Sequence, residues 1–247
     1  NKFGVAEKKA LDLYKVAMNM DSVLIKGIDC HIGSQITEIG PFVDAISKLI
    51  NMVDTLALMN IEINHIDIGG GIGINYDDKD TITFDQYAAA ISPILTKSKC
   101  KIIFEPGRAV VGKSGVLLTK IEYIKKSESK NFAVIDAAMN DLMRPSLYNA
   151  HHKIINTSKN NEINDTYDIV GPVCETGDFL GKNRGLSISP DNILAILDVG
   201  AYGMSMSSNY NSRLRPVELL IDNDKILEIR KREVFDDLIR GECLPPS

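Results

Sequence analysis

The sequence lacks any apolar segment approaching the ~20 residues that a membrane-spanning helix requires. Charge interrupts even its longer hydrophobic stretches, such as residues 51–60. An excess of positive charge is also missing, because 28 Lys and Arg stand against 33 Asp and Glu, for a net charge of -5. These two absences predict a protein that binds neither membranes nor, as a general property, nucleic acid.

Closely spaced cysteine pairs are absent as well. The four cysteines, at positions 30, 100, 174 and 243, form no Cys-x-x-Cys motif. This spacing argues against a zinc site and against a disulfide framework, so we expect no metal. A reducing, cytoplasmic compartment is the simplest interpretation.

The composition is that of an ordinary globular protein, with 247 residues, 44% hydrophobic and 25% charged. Residues 1–110 alternate helical and strand patterns in βαβαβ order, which predicts parallel strands. Their chemistry is expected at the carboxyl ends of the strands. The predicted strands are Val23–Cys30, Ile61–Ile68 and Lys101–Glu105, and the predicted helices are Ala6–Met20, a helix beginning at Pro41, and Phe84–Leu95.

Residues 111–247 change to short strand patterns without intervening helices, which predicts a mostly antiparallel β domain. Asp222-Asn223-Asp224 is a plausible hairpin turn, and the polar, Asn-rich Ser158–Thr166 is predicted to be a loop. The predicted strands are Val116–Ile124, Phe132–Ile135, Tyr167–Val173, Ile193–Val199, Val217–Ile221 and Ile226–Ile229.

Two polar segments follow the first two predicted strands. Gly69-Gly70-Gly71 could let backbone N–H groups approach a phosphate, or could be only a tight turn. Its spacing matches neither a P-loop nor a dinucleotide fingerprint. His31 could stack on a planar cofactor and Ser34 could bind phosphate; alternatively, they are a structural histidine and a turn serine.

Glu105, in the EPGR segment, ends a strand that is predicted to be buried. A buried carboxylate needs a partner, which could be Arg108 or a protonated ring nitrogen. Cys174 and Glu175, in GPVCETGD, are predicted to lie in a loop. Cys174 could donate a proton and Glu175 could bind an ammonium group, or Cys174 could be a small buried hydrophobe.

Arg144, in DLMRPSLY, precedes a proline and is disfavoured within a helix. Arg144 and Tyr148 could bind a carboxylate, or Arg144 could be a surface arginine. Tyr202, in DVGAYG, follows a strand and could be an ordinary buried tyrosine.

The order of these segments along the chain, and the residues in them, indicate a protein family more specifically than any single segment does. From about residue 1 to about residue 240, HIGSQ, GGG, EPGR, DLMRPSLY, GPVCETGD and DVGAYG resemble the diaminopimelate decarboxylase family, within the fold-type III pyridoxal-phosphate-dependent decarboxylases. The resemblance implies the C-terminal portion of a cofactor-binding (β/α)8 barrel, the TIM-barrel fold, at residues 1–110. A mostly antiparallel β domain would follow at residues 111–247.

The resemblance also implies roles for individual residues. His31 would stack on pyridoxal 5'-phosphate, Glu105 would bind its ring nitrogen, and Cys174 would donate a proton across a homodimer interface. The other implied cofactor-binding residues are Ser34, Gly69, Gly70, Gly71, Gly107, Arg108 and Tyr202. The implied substrate-binding residues are Arg108, Arg144, Tyr148, Glu175 and Tyr202.

The implied activity is that of a lyase in lysine biosynthesis, which decarboxylates meso-diaminopimelate to L-lysine. The second amino-acid head of diaminopimelate needs both a carboxylate-binding and an ammonium-binding residue, which favours it over ornithine. Nothing matches the family's Schiff-base lysine motif, so the N-terminal segment is expected to be missing. Three strands cannot close the barrel, and the chain alone is expected to be inactive.

Two alternatives remain open. The first is a decarboxylase that acts on another basic amino acid or on a carboxylated polyamine. The second is a non-catalytic relative that kept the fold and lost the lysine, although retention of Cys174 and Glu175 argues against it.

Overall fold

The computed structural model describes residues 2–76, 81–158 and 165–245. By its internal contacts the chain divides into two compact units, Asn1–Val111 and Gly112–Ser247. No helix among the described residues is long and apolar enough to cross a membrane.

The first unit is built from three repeats of helix and parallel strand. The strand order is β1-β2-β3, and both pairings are parallel, with Ile28 opposite Ile66 and Ile66 opposite Ile102. The elements are α1 (Glu7–Met18), β1 (Gly27–Asp29), α2 (Gly40–Leu58), β2 (His65–Asp67), α3 (Phe84–Leu95), β3 (Lys101–Ile103) and α4 (Arg108–Val111).

Helix starts in this unit follow from local sequence. Pro41 lies in the first turn of α2, where its missing N–H has no intrahelical partner to lose. Thr83 caps α3 by accepting a hydrogen bond from the Gln86 amide, while the Gln86 side chain accepts one from the Thr83 amide.

The core of the first unit lies between α2, α3 and the sheet. Phe42 of α2 meets Tyr87 of α3 edge-on, with ring centroids 5.0 Å apart. The buried face of α2 comprises Phe42, Ile46, Leu49, Ile50, Met52 and Leu56. This face packs in one cluster with Ile28 and Ile66 of the strands, so burial of the apolar stripe fixes the helix on the sheet.

The second unit contains a six-stranded sheet in the order β6-β9-β4-β5-β7-β8, in which only the β5–β7 pairing is parallel. A Cβ added at Gly181 of β8 would lie 2.8 Å from Cδ1 of Ile154 in β6, so the outer strands approach and nearly close the sheet. The elements are β4 (Leu117–Lys126), β5 (Asn131–Ile135), α5 (Arg144–Tyr148), β6 (Ile154–Asn156), β7 (Asp165–Val170), β8 (Phe179–Leu186) and β9 (Ile193–Ile196). This mostly antiparallel architecture agrees with the predicted fold class.

The second unit ends in a separate antiparallel hairpin, β10 (Glu218–Asp222) and β11 (Lys225–Arg230), followed by α6 (Phe235–Leu238). The predicted turn at residues 222–224 joins the two strands. Apolar side chains are exposed along both strands, among them Leu219, Ile221, Ile226 and Ile229.

The structure corrects several sequence-based expectations. Strands β6 and β8 were not predicted, and the three parallel strands are shorter than predicted because only three residues of each enter the hydrogen-bonded ladder. The predicted loop Ser158–Thr166 lies mostly outside the described residues, and its last two residues, Asp165 and Thr166, belong to β7.

Candidate cofactor and substrate site

The carboxyl ends of β1, β2 and β3 lie at one edge of the parallel sheet. His31 and Ser34 follow β1, Gly69–Gly71 follow β2, and Glu105 follows β3. Gly107 precedes α4, and its carbonyl accepts the amide N–H of Val110. The topology therefore gathers the predicted residues of the first unit at one edge.

Backbone hydrogen bonds connect the glycine loop to both neighbouring loops. The Gly70 amide donates to Nδ1 of His31 at 3.3 Å. The Glu105 amide donates to the Gly69 carbonyl at 2.8 Å, and the Ile36 amide donates to the Gly71 carbonyl at 2.9 Å. The three loops consequently form one connected surface.

Glycine is required in this loop by conformation and by space. Gly69 and Gly71 have φ values of +66° and +99°, which residues with a Cβ rarely adopt. A Cβ at Gly70 would lie 2.2 Å from the Glu105 carbonyl oxygen, and one at Gly71 would lie 2.4 Å from that of Gly33. The loop therefore allows a close backbone approach that side chains would prevent.

Arg108 brings a cation to the same edge. Its guanidinium is buried and donates from Nη1 to the Tyr76 hydroxyl at 2.6 Å and from Nη2 to Oγ of Ser34 at 3.2 Å. Two fixed contacts orient the planar group, which suits an anionic oxygen bound beside Ser34.

Three carboxylates gather at this edge as well. Oxygens of Asp29, Asp67 and Glu105 lie within 4.8 Å of one another. Burial, and then the charge of Asp67, raise the pKa of Asp29. The expectation that Glu105 ends a buried strand is wrong, because Glu105 is exposed and β3 has no fully buried residue. Together, the carboxylates of Asp29, Asp67 and Glu105 create a negative potential that favours the binding of a cationic group.

In the second unit, Arg144 is buried with 9% exposure at the start of α5, with Pro145 following in the first turn. Its guanidinium carbon lies 5.6 Å from the ring centroid of Tyr148 and 5.5 Å from that of Tyr202. Tyr202 is 42% exposed and has a φ of +62°. The alternatives of a surface arginine and a buried tyrosine are therefore wrong.

Cys174 and Glu175 lie in the connection between β7 and β8, and both are exposed. The alternative of a small buried hydrophobe is thus wrong for Cys174. The Gly177 amide donates to Oε1 of Glu175 at 3.1 Å, and the Tyr210 hydroxyl lies 3.5 Å from Oε2. The loop presents a thiol and a carboxylate side by side.

Sequence reasoning missed four residues at these places. Asp29 and Asp67 complete the acidic cluster, and their position at the last residue of each strand was the available signal. Tyr76 orients Arg108. Asp178 is the last residue of the GPVCETGD segment, and it is buried and accepts the amide N–H of Val173, next to Cys174.

Comparison with known protein families first indicates a class of enzyme. Residues 1–112 match the family described as pyridoxal-dependent decarboxylase, pyridoxal binding domain. The matched residues include all of the strand-end groups described above for the first unit. Residues 1–112 are therefore similar to the pyridoxal-binding domain of this class of decarboxylases.

Several relatives that match nearly the whole chain are diaminopimelate decarboxylases. The chain is 46% identical over 246 residues to diaminopimelate decarboxylase of Neisseria meningitidis, with 99% of the chain and 61% of that protein covered. It is 46% identical to the Pseudomonas aeruginosa enzyme, with 100% and 60% covered. The structure of Helicobacter pylori diaminopimelate decarboxylase complexed with L-lysine matches with a TM-score of 0.91 at 42% identity, covering 97% of the chain and 60% of that structure. The predicted resemblance is confirmed, and the chain spans about 60% of the length of these relatives.

Proposed function

We propose that the intact protein is a pyridoxal-phosphate-dependent decarboxylase that converts meso-diaminopimelate to L-lysine and CO2. The observation that carries the proposal is the pairing, at one sheet edge, of an acidic cluster with a glycine loop and a buried arginine. These opposite polarities match the two ends of pyridoxal phosphate, which has a protonated ring nitrogen and a phosphate.

The phosphate end fits the groups around Ser34. Glycine at positions 69–71 allows a close approach of an anion to the backbone of this loop. Gly107 and Arg108 complete this end, and Arg108 supplies the positive charge. Tyr202, which contacts Arg144 in the second unit, is proposed to bind both phosphate and substrate.

The ring end fits Glu105 and His31. A carboxylate at Glu105 would accept the ring N–H and keep that nitrogen protonated. His31 would stack on the ring, with its orientation fixed by the Gly70 amide. When bound, the cofactor supplies the electron sink for breaking the bond to the departing carboxylate.

Substrate recognition is assigned to charged side chains. Arg144, whose guanidinium lies near the rings of Tyr148 and Tyr202, would bind the distal carboxylate, and Glu175 would bind the distal ammonium group. Tyr148 would flank the same carboxylate, and Arg108 is proposed as a further substrate-binding residue. A substrate that lacked either distal charge would leave one of these groups unpaired.

Cys174 is proposed to supply the proton that replaces CO2 on the α-carbon. Its exposure lets the thiol reach a substrate without rearrangement of the core. We further propose that the protein is a homodimer in which this loop serves the neighbouring subunit's site. The four free cysteines support a reducing, cytoplasmic location.

The test is CO2 release and lysine formation by the intact, cofactor-loaded protein with meso-diaminopimelate, L-lysine, L-ornithine and L-arginine. Diaminopimelate should have the highest kcat/KM, and Arg144→Ala should lower it by 10²-fold or more, since about 3 kcal/mol is expected for a charged hydrogen-bonding group. Equal turnover of ornithine would refute the substrate assignment. Absence of turnover with every substrate would refute the activity.

A further inference from the structure

Asp178 is a buried carboxylate with two backbone partners. It precedes β8 and is 3% exposed. Its Oδ1 accepts the amide N–H of Met139 at 2.7 Å, and its Oδ2 accepts that of Val173 at 2.9 Å. One side chain thus joins two segments that are distant in sequence.

Each of the two segments leads directly to a residue of the proposed site. Val173 is the neighbour of Cys174, and Met139 lies five residues before Arg144. Backbone hydrogen bonds also stabilise the turn between Val173 and Asp178. The Glu175 amide donates to the Val173 carbonyl at 2.8 Å, and the Asp178 amide donates to the Glu175 carbonyl at 3.0 Å. The turn that carries Cys174 and Glu175 therefore ends at Asp178.

Glycine at position 171 leaves the space that the Asp178 carboxylate occupies. A Cβ at Gly171 would lie 2.3 Å from Oδ2 of Asp178 and 2.7 Å from Cα of Ala138. Any residue larger than glycine at position 171 would separate the two segments. Burial also raises the pKa of Asp178, against which the amide hydrogen bonds act. A buried carboxylate is costly unless such bonds compensate it.

We infer that Asp178 is a positioning residue that fixes the Cys174–Glu175 turn relative to the segment carrying Arg144. The inference rests on the proposed function, because it concerns the placement of the proton donor and of the two groups that bind the distal end of the substrate. Small displacements of such groups reduce rate strongly, by up to about 10²-fold for 1 Å.

The test compares Asp178→Asn with Asp168→Asn in the intact holoenzyme. An asparagine has one acceptor oxygen, and its NH2 group would face the second amide N–H, so both segments cannot be held. Asp168 is the matched control, since it is equally buried at 3% and accepts from the Lys130 amine at 2.9 Å and the Asn183 amide at 2.8 Å, in a different part of the unit.

Both variants should lose thermal stability. Only Asp178→Asn should lower kcat and raise KM for diaminopimelate, with kcat/KM falling about tenfold or more. Cofactor affinity should stay unchanged in both, because the residues assigned to the phosphate and ring nitrogen lie mainly in the first unit. The rate at which iodoacetamide alkylates Cys174 in the folded protein, quantified on the Cys174 peptide after digestion, should rise in Asp178→Asn alone.

Asp178→Glu keeps a carboxylate that can still accept from one amide, so it should recover part of the loss. It also serves as the test if Asp178→Asn does not fold. Equal kinetics and equal Cys174 alkylation in Asp178→Asn and Asp168→Asn would overturn the inference, as would failure of both Asp178 variants to fold when Asp168→Asn folds. If the unmodified protein does not act on diaminopimelate, the proposed function fails, and the alkylation comparison still decides the role of Asp178.

Discussion

Gly71→Ala tests the glycine loop most directly. The φ of +99° at this position is strained for any residue with a Cβ, at a cost of about 1–3 kcal/mol. The new Cβ would also lie 2.4 Å from the Gly33 carbonyl oxygen, which is backbone and cannot rotate away. The loop after β1 must therefore move, and Ser34, the next residue, must move with it.

The expected result is loss of both stability and cofactor affinity. A destabilisation of about 1–3 kcal/mol lowers the melting temperature by several degrees in a domain of this size. If a comparable part of that free energy is lost from phosphate binding, the Kd for pyridoxal phosphate rises about tenfold or more, since 1.4 kcal/mol corresponds to a factor of ten.

The assays are thermal unfolding with and without cofactor, and titration by cofactor absorbance in the intact protein. Gly40→Ala is the matched control, because Gly40 begins α2 and an added Cβ would meet nothing within 4 Å. It should be neutral or stabilising by up to about 1 kcal/mol. A Gly71→Ala protein with the stability and cofactor affinity of the control would refute the assignment of this loop to phosphate binding.

Three further predictions concern charge and assembly. Glu105→Gln should lower kcat by roughly 10²–10⁴ and change cofactor affinity less, because glutamine keeps the shape but not the charge; unchanged turnover in steady-state kinetics would contradict this role. Burial alone would raise the pKa of Glu233, but hydrogen bonds from Arg215 and Asn209 lower it to about 2. Because this folded pKa lies below the ordinary value of 4.5, Glu233 stabilises the fold above pH 4.5. That stability, about 1–2 kcal/mol after solvent screening, is lost as the pH falls from 4.5 towards 2. Unfolding at pH 3 and pH 7 should therefore show a smaller pH dependence in Glu233→Gln, and equal dependence would contradict it. Subunits carrying Cys174→Ala, mixed with subunits that lack the cofactor-bonding lysine, should recover up to about a quarter of the activity; flat activity despite proven exchange would place Cys174 in its own subunit's site or outside catalysis.

Helices α1 to α3 were predicted to within about two residues at most ends, because apolar periodicity and the Pro41 signal are local. Strand β8 could not be predicted, since its sequence FLGKNRGL shows no regular alternation and its pairing with β7 contains register shifts. Strand β6 is only three residues long.

The residues of the candidate site also fall into two groups, those that local sequence predicts and those that depend on tertiary structure. His31, the glycine loop and Glu105 follow strand ends and could be found from sequence. Contacts such as Arg108 with Tyr76, 32 residues apart, and Asp178 with Met139, 39 residues apart, depend on tertiary structure. Local patterns carry no information about these contacts.

The β10–β11 hairpin has a practical consequence for handling this polypeptide. Exposed edges of a two-stranded ribbon present free backbone groups, and Leu219, Ile221, Ile226 and Ile229 add apolar surface to them. Short, β-prone, apolar segments of this kind nucleate intermolecular sheets. Charged residues lie at both ends of the ribbon, with the Arg230–Glu218 ion pair at one end and Asp222 opposite Lys225 at the turn, so the apolar residues form its middle. Expressed alone, residues 1–247 should self-associate as their concentration rises, and lysine substitutions at Ile221 and Ile226 should keep them dispersed.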